Sequence, residues 1–191
     1  VGLAPSAELY AAAVFEQDAA RGEIASTVSL VRALDWLISS GVDVVNISLA
    51  GPPNRLLEKA LSRAAGRGVL ILAAAGNGGP MAKPMYPAAY SSVMAVTAVD
   101  SHGRVFRLAN RGDYVDLAAP GVGLLHARSG GGYATSSGTS FAVPFVATAA
   151  ARLRLLTPYE DVREALLSSV QDEGVPGRDD VYGYGVLRVN G

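Results

Sequence analysis

The stretch Val69-Leu70-Ile71-Leu72-Ala73-Ala74-Ala75-Gly76-Asn77-Gly78-Gly79 decides the fold class. Val69–Ala74 is an unbroken apolar run closed by glycines and an asparagine, the pattern of a strand buried on both faces and ended by a turn. Toward the N-terminus, Pro52-Pro53-Asn54 opens a helix with Leu57, Ala60, Leu61 and Ala64 on one side, ended by Gly66 and Gly68. Before it, Val42–Leu49 is a second near-continuous strand, with Asn46 and Ser48 as polar interruptions. Ile24, Val28, Val31, Leu34 and Ile38 recur at helical spacing, which predicts an amphipathic helix stopped at Gly41. Leu9–Val14 reads as a further short buried strand. Toward the C-terminus, Val93–Val99 and a shorter run near Val115–Ala118 repeat the strand pattern. Strands that are continuously apolar and separated by helices predict an α/β fold, a three-layer, mostly parallel sheet with helices on both faces. Beyond Pro120 the chain is glycine-rich to Gly138 and reads as loop, then turns helical from about Ser140. Thr157-Pro158-Tyr159-Glu160 reads as a capping box opening a last helix to about Val170, and Asp172–Tyr184 as a polar, glycine-punctuated loop.

Composition narrows the function classes. The 191 residues are 50% hydrophobic, enough for one packed domain, with no repeat and no interdomain linker. A net charge of −1 with scattered Lys and Arg leaves no basic stripe, which argues against nucleic acid as a partner. The chain has no cysteine, so thiol chemistry, disulfides and cysteine-ligated zinc are excluded, while the compartment is left open. The longest small-apolar run, Phe141–Ala151, holds Pro144 and is too short for a membrane span, and no signal-peptide pattern opens the chain. A start on Val1 instead of methionine is expected of a processed product or an excised piece.

In open parallel sheets ligands gather at the carboxyl ends of strands. Ser48-Leu49-Ala50-Gly51 follows one strand and Ala75-Gly76-Asn77 the next. Gly138-Thr139-Ser140-Phe141-Ala142-Val143-Pro144 sets a serine at the start of a small-residue helix. Such a serine is commonly an N-cap, and Asn-Gly is commonly just a turn. The same pair also supplies two parts of an acyl-transfer site: a nucleophile at a helix N-terminus and an amide donor for an oxyanion. Pro144 is compatible with a helix start, where N–H groups have no intrahelical partner. A phosphate loop is unsupported, because neither glycine-rich stretch ends in Gly-Lys-Ser/Thr, and no Gly-x-Ser-x-Gly elbow exists. A general base is harder to find. His102 and His126 are the only histidines. The contiguous Asp100-Ser101-His102-Gly103 has the look of a turn, whereas triad members converge from separate elements. Neither histidine is therefore assigned as base, two make a poor zinc site, and Asp100 reads as a turn carboxylate in preference to a cation ligand.

Taken together, these segments resemble the subtilisin-like serine proteases (subtilases, peptidase S8), and the match runs nearly end to end. Val1-Gly2-Leu3-Ala4-Pro5-Ser6-Ala7 looks like the family's Gly-Val-Ala-Pro-x-Ala stretch before a core strand. Asp43-Val44-Val45-Asn46-Ile47-Ser48-Leu49 looks like its Asp-Val-Ile-Asn-x-Ser-Leu strand, and Ala73-Ala74-Ala75-Gly76-Asn77 like its Ala-Ala-Gly-Asn box. Tyr86-Pro87-Ala88 resembles a family turn whose proline is commonly cis. Ala119-Pro120-Gly121 and Gly138-Thr139-Ser140-x-Ala142-x-Pro144 complete the series. Phe145 and Thr148 depart from a frequent histidine and a frequent glycine, both at packing positions.

The resemblance implies Ser140 as nucleophile and Asn77 as side-chain oxyanion donor beside the Ser140 N–H. It implies that Ser48, Leu49 and Ala50 wall one side of the first specificity pocket and pair with substrate backbone as an added strand. Ala74, Ala75 and Gly76 would form the other wall, with Met85 near the floor, favouring apolar side chains. No metal ligand is assigned and no cofactor is required. Members of the family are often stabilised by calcium, through a loop expected before the Ala-Pro-Ser stretch. The catalytic Asp and His boxes also precede that stretch, so residues 1–191 are expected to be a partial catalytic domain lacking the N-terminal strands. One of those strands is expected between Leu9–Val14 and Val44–Ser48, so that an upstream segment or a second chain would complete the sheet. A polypeptide is the implied substrate, and a secreted or periplasmic location is implied by the family alone.

Two functions of different class follow. One is a serine endopeptidase acting through an acyl-enzyme on Ser140, inactive as this isolated chain. The other is a non-catalytic peptide-binding pseudo-protease. A flavodoxin-like ligand-binding domain ranks last, since Ala13–Arg21 offers no phosphate-cradling loop.

Overall fold

In the computed structural model, residues 3–20, 22–157 and 161–188 are described. In chain order the elements are β1 (Phe15–Asp18), β2 (Gly22–Ala25), α1 (Thr27–Ser39), β3 (Val44–Ile47), α2 (Arg55–Ala65), β4 (Leu70–Ala74) and β5 (Met94–Val99). They continue as β6 (Val115–Pro120), β7 (Leu124–Ala127), β8 (Tyr133–Ser136), α3 (Thr139–Leu156), α4 (Val162–Ser168), β9 (Val170–Gln171) and β10 (Val186–Leu187).

The apolar runs become the middle of one sheet of order β3-β4-β5-β6-β10-β9, parallel from β3 to β10 with β9 antiparallel at the far edge. Both faces are covered, and successive residues divide between them as strand geometry requires. Ile71, Ala73 and Ala95 pack with Leu34 of α1 and Leu57, Leu61 and Ala64 of α2. Leu72, Ala74, Met94, Val96, Leu117 and Ala119 pack with Ala142, Val143, Val146 and Ala150 of α3 and Val162 and Leu166 of α4. With a helix layer on each side, most strand positions are apolar, which is why these strands read as near-continuous apolar runs. The three-layer α/β architecture expected from the sequence is the one observed.

Helix starts follow side-chain chemistry. Ser26 caps α1 by accepting from the Ser29 N–H at 3.0 Å, and Asn54 caps α2 through the N–H groups of Leu56 and Leu57. Ile24 lies in β2, so the first helix begins later than its apolar spacing suggests. A buried carboxylate repairs the one irregularity in the central ladder. Register shifts between Ala95 and Val96, and Asp116 of β6 accepts the Ala95 N–H at 2.7 Å while pairing with Arg163 of α4 at 2.9 Å.

Several expectations are corrected. Leu9–Val14 is not a strand: Leu9 is 92% exposed, and the first strand, Phe15–Asp18, pairs only with β2 in a separate hairpin. An apolar run becomes a strand only where a neighbour takes up its backbone hydrogen bonds, and among the described residues no strand pairs with residues 9–14. The glycine-rich region 121–138 contains a β7–β8 hairpin whose burial alternates along each strand. The last helix is capped by Asp161, which accepts from Arg163 N and Glu164 N, and Thr157 instead ends α3 with its hydroxyl on the Leu153 carbonyl. Residues 158–160 of the expected capping box lie outside the described residues. Helix α3 is longer than the apolar run that announced it, and by length and composition alone is long enough to cross a membrane. It instead lies against β3, β4, β5 and β6.

Candidate active site

Pro144 explains how β3 and α3 meet. It lies well inside α3, beyond the first turn that would have tolerated it without consequence. A proline there leaves unpaired the carbonyl four residues earlier, which is that of Ser140. The Ser48 hydroxyl, just past the end of β3, lies 3.0 Å from that oxygen and 2.9 Å from Asn46 Oδ1. In return the Ser140 hydroxyl is 3.3 Å from the Ser48 carbonyl. The predicted nucleophile and the predicted pocket wall are therefore in direct contact.

The asparagine loop is held from three sides. Thr139, fully buried, donates its N–H and its hydroxyl to Asn77 Oδ1, each at 3.0 Å, and accepts the Gly76 N–H at 3.2 Å. With Oδ1 taken twice, the Asn77 amide is fixed, and its exposed NH₂ end is left to donate elsewhere. Asn110, also fully buried, accepts the Gly78 N–H at 2.7 Å, and its own N–H reaches the Gly76 carbonyl. A Cβ on Gly76 would stand 2.8 Å from the Asn110 amide, and its φ of 112° lies in the region that favours glycine, so no other residue fits this turn. Tyr114 donates its hydroxyl to the Ala75 carbonyl at 2.8 Å. Burial holds that phenol above its ordinary pKa, which keeps it a donor.

The end of β6 is tied to the start of α3 by close approach. The Gly121 carbonyl accepts the Gly138 N–H at 2.8 Å, and a Cβ on Gly121 would fall 2.6 Å from Ala98 Cβ and 2.9 Å from the Gly138 carbonyl. This is the physical content of Ala119-Pro120-Gly121. Met85 reaches the same neighbourhood through its backbone, beside the Tyr114 hydroxyl, and Gly51 pairs with Tyr86 across a short antiparallel bridge. The Tyr86–Pro87 peptide is cis. Ala74 and Ala75 are buried.

Neither histidine bonds Ser140 among the described contacts. His102 sits exposed in the turn after β5, near Ser101. Asp100 in that turn is occupied: burial raises its carboxyl pKa, but the amides of Arg104 and His102 and the Arg104 guanidinium outweigh this and hold it below the ordinary carboxylate value. His126 stacks on Phe141 with ring centroids 5.0 Å apart. Among the described residues no cluster of three or more Asp, Glu, His or Cys is placed to hold a metal ion. Sequence reasoning missed Thr139, Asn110, Tyr114 and Asn46. Thr139 and Asn46 stood inside quoted motifs, but nothing local marks Asn110 or Tyr114.

Residues 1–185 match the Subtilase family. The chain is 37% identical to the minor extracellular protease Epr of Bacillus subtilis (strain 168), over 98% of this chain and 29% of that protein. It is 42% identical to subtilisin BL of Lederbergia lenta, over 83% of this chain and 57% of that protein. The prenylagaramide maturation protease PagA shares its fold with a TM-score of 0.76 at 30% identity, over 88% of this chain and 66% of that one. The chain thus spans well under two thirds of the two curated relatives. With the sheet, the Asn77 turn and Ser140 at the start of α3 in place, the chain belongs to the subtilase family of serine peptidases.

Proposed function

We propose that this chain is part of the catalytic domain of a serine endopeptidase that cleaves peptide bonds through an acyl-enzyme on Ser140. The observation that carries the reading is the Thr139–Asn77 pair, which fixes an exposed amide donor next to the residue preceding Ser140. Ser140 Oγ would attack the scissile carbonyl, and the Asn77 NH₂ and Ser140 N–H would receive the developing oxyanion. Ser48, Leu49 and Ala50 would pair with the substrate backbone, facing Ala74, Ala75 and Gly76 with Met85 below. The base and its orienting acid would come from a segment outside this sequence, so the isolated chain would be inactive. That segment would also lie on β3. The outer side of β3 faces a groove of 1330 Å³ lined by residues between Leu3 and Phe15, by α1 and by α3. Two apolar side chains of that border, Leu9 and Phe15, are 92% and 51% exposed. The named extracellular relative favours export of the whole protein.

A second reading, a peptide-binding pseudo-protease, rests on the Ser140 hydroxyl being directed at the Ser48 carbonyl with no imidazole bonded to it among the described residues. A fluorophosphonate serine-hydrolase probe separates the two. Labelling of the full-length gene product that disappears in Ser140→Ala is the expected result; an unlabelled full-length protein would establish the binding module.

A further inference from the structure

We propose that Ser136 and His126 form a second nucleophile–base pair, separate from Ser140, that accepts acyl groups from activated esters. His126 on β7 and Ser136 on β8 lie on the same face of the hairpin, the face shared by Leu124 and Ala134. Ser136 Oγ is 2.8 Å from His126 Nε2, and His126 Nδ1 is 2.8 Å from the Ala127 carbonyl. A carbonyl oxygen only accepts, so Nδ1 carries the hydrogen and the neutral ring presents its Nε2 lone pair to the serine. This is the order nucleophile, base, orienting group that activates a weak hydroxyl. The ring is further braced by Phe141 at 5.0 Å, immediately after Ser140. A hydrogen bond clipping two strands together would need only the first contact; the anchored second nitrogen and the stacked ring fix the base in one orientation. Both residues are half-buried, so the pair keeps access to solvent.

The chemistry balances within the pair. Ser136 Oγ bonds to the ester carbonyl carbon while its proton passes to His126 Nε2. The bond from that carbon to the leaving oxygen then breaks, and the departing alkoxide takes the proton from the imidazolium. Water completes the cycle in the same way, giving the free acid and restoring Ser136. The Asn77 side chain is bonded through Oδ1 to Thr139, and no described hydrogen bond links it to Ser136. Ser136 therefore works without that donor, and its substrates are esters with good leaving groups instead of peptides. The apolar neighbours Leu124, Ala134 and Phe141 favour short uncharged acyl groups.

The test uses the full-length gene product carrying Ser140→Ala, incubated with p-nitrophenyl acetate and mapped by peptide mass spectrometry. The Ser140→Ala background makes the result independent of the peptidase reading. Acetyl should appear on Ser136, at a rate that falls by about 10²-fold or more in both His126→Phe and His126→Gln. His126→Phe keeps an aromatic ring on Phe141 and His126→Gln keeps a polar partner for Ser136, so both variants are expected to preserve the hairpin, which circular dichroism verifies. Acetylation of Ser136 no faster than that of the exposed Ser129, a rate unchanged in either variant, or acetyl found on His126 itself would each overturn the assignment.

Discussion

The loop after β4 and the outer edge of β3 are built on opposite terms. The loop is saturated: Asn77, Gly76, Gly78 and Ala75 are each tied to Thr139, Asn110 or Tyr114. The β3 edge has a neighbour on one side only, and beyond it lie exposed apolar side chains and a broad groove. The difference teaches that the Asn77 loop and Ser140 are fixed by contacts among the described residues, while the outer side of β3 has no strand partner among them.

That contrast is most strongly tested by paired truncations. Leu72→Ala, in the fully buried layer beneath the loop, should destabilise the protein by about 2–5 kcal/mol. Leu9→Ala, across the groove, should fall within about 0.5 kcal/mol in the isolated chain. Equal costs in urea denaturation would break the comparison. In the full-length protein Asn77→Ala should lower kcat by about 10²–10³-fold, a figure obtained from a subtilisin and so not independent of the family. Thr139→Val, which removes one of the two hydrogen bonds on Asn77 Oδ1 and keeps the amide, should lower kcat less, with KM little changed. An unaltered kcat in both would show that the saturated loop is only structural. Gly121→Ala should cost about 1–3 kcal/mol, because its methyl meets Ala98, Ala142 and the Gly138 carbonyl at once. A crystal structure of that variant with Ser140 unmoved would show the β6 tie to be loose.

The smallest effect concerns the loop at the opposite edge of the sheet. Burial pushes the Asp179 carboxyl up, but the N–H groups of Tyr182, Val181 and Val175, with Arg111 adding to them, prevail and hold it below the ordinary value. A depressed folded pKa stabilises above the unfolded value and loses that contribution as pH falls through the folded one. The thermal midpoints of the wild type and Asp179→Asn should therefore differ above about pH 4 and converge in more acid solution. A constant difference across that range would mean that the carboxyl contributes by shape and not by charge.

Legibility in the sequence followed the covering of each segment. β3, β4, β5 and β6 are readable because two helix layers favour apolar residues at nearly every position. β7 and β8 are not, since an exposed hairpin set among glycines leaves only a weak alternation, and β9 and β10 are two residues each. Leu9–Val14 was misread because its apolarity was taken as burial against a strand that this chain does not provide. At the site, Ser140, Asn77 and Ser48 were marked by compact motifs at strand ends. Asn110 and Tyr114 were not, since they act on the loop from positions more than 30 residues away along the chain. The histidines show the same limit: the Asp-Ser-His-Gly run drew attention to His102, and only folding set His126 beside Ser136 and Phe141.

By itself, then, the sequence determined the layers, the strand ends at which chemistry gathers and the family, because periodicity and short motifs are local properties. Only the tertiary structure decided that Thr139 aims Asn77, that Pro144 frees the Ser140 carbonyl for Ser48, and that β3 lies at an open edge. Each of those is a contact between residues far apart in the chain, fixed by how the sheet and α3 pack and carried by no single segment.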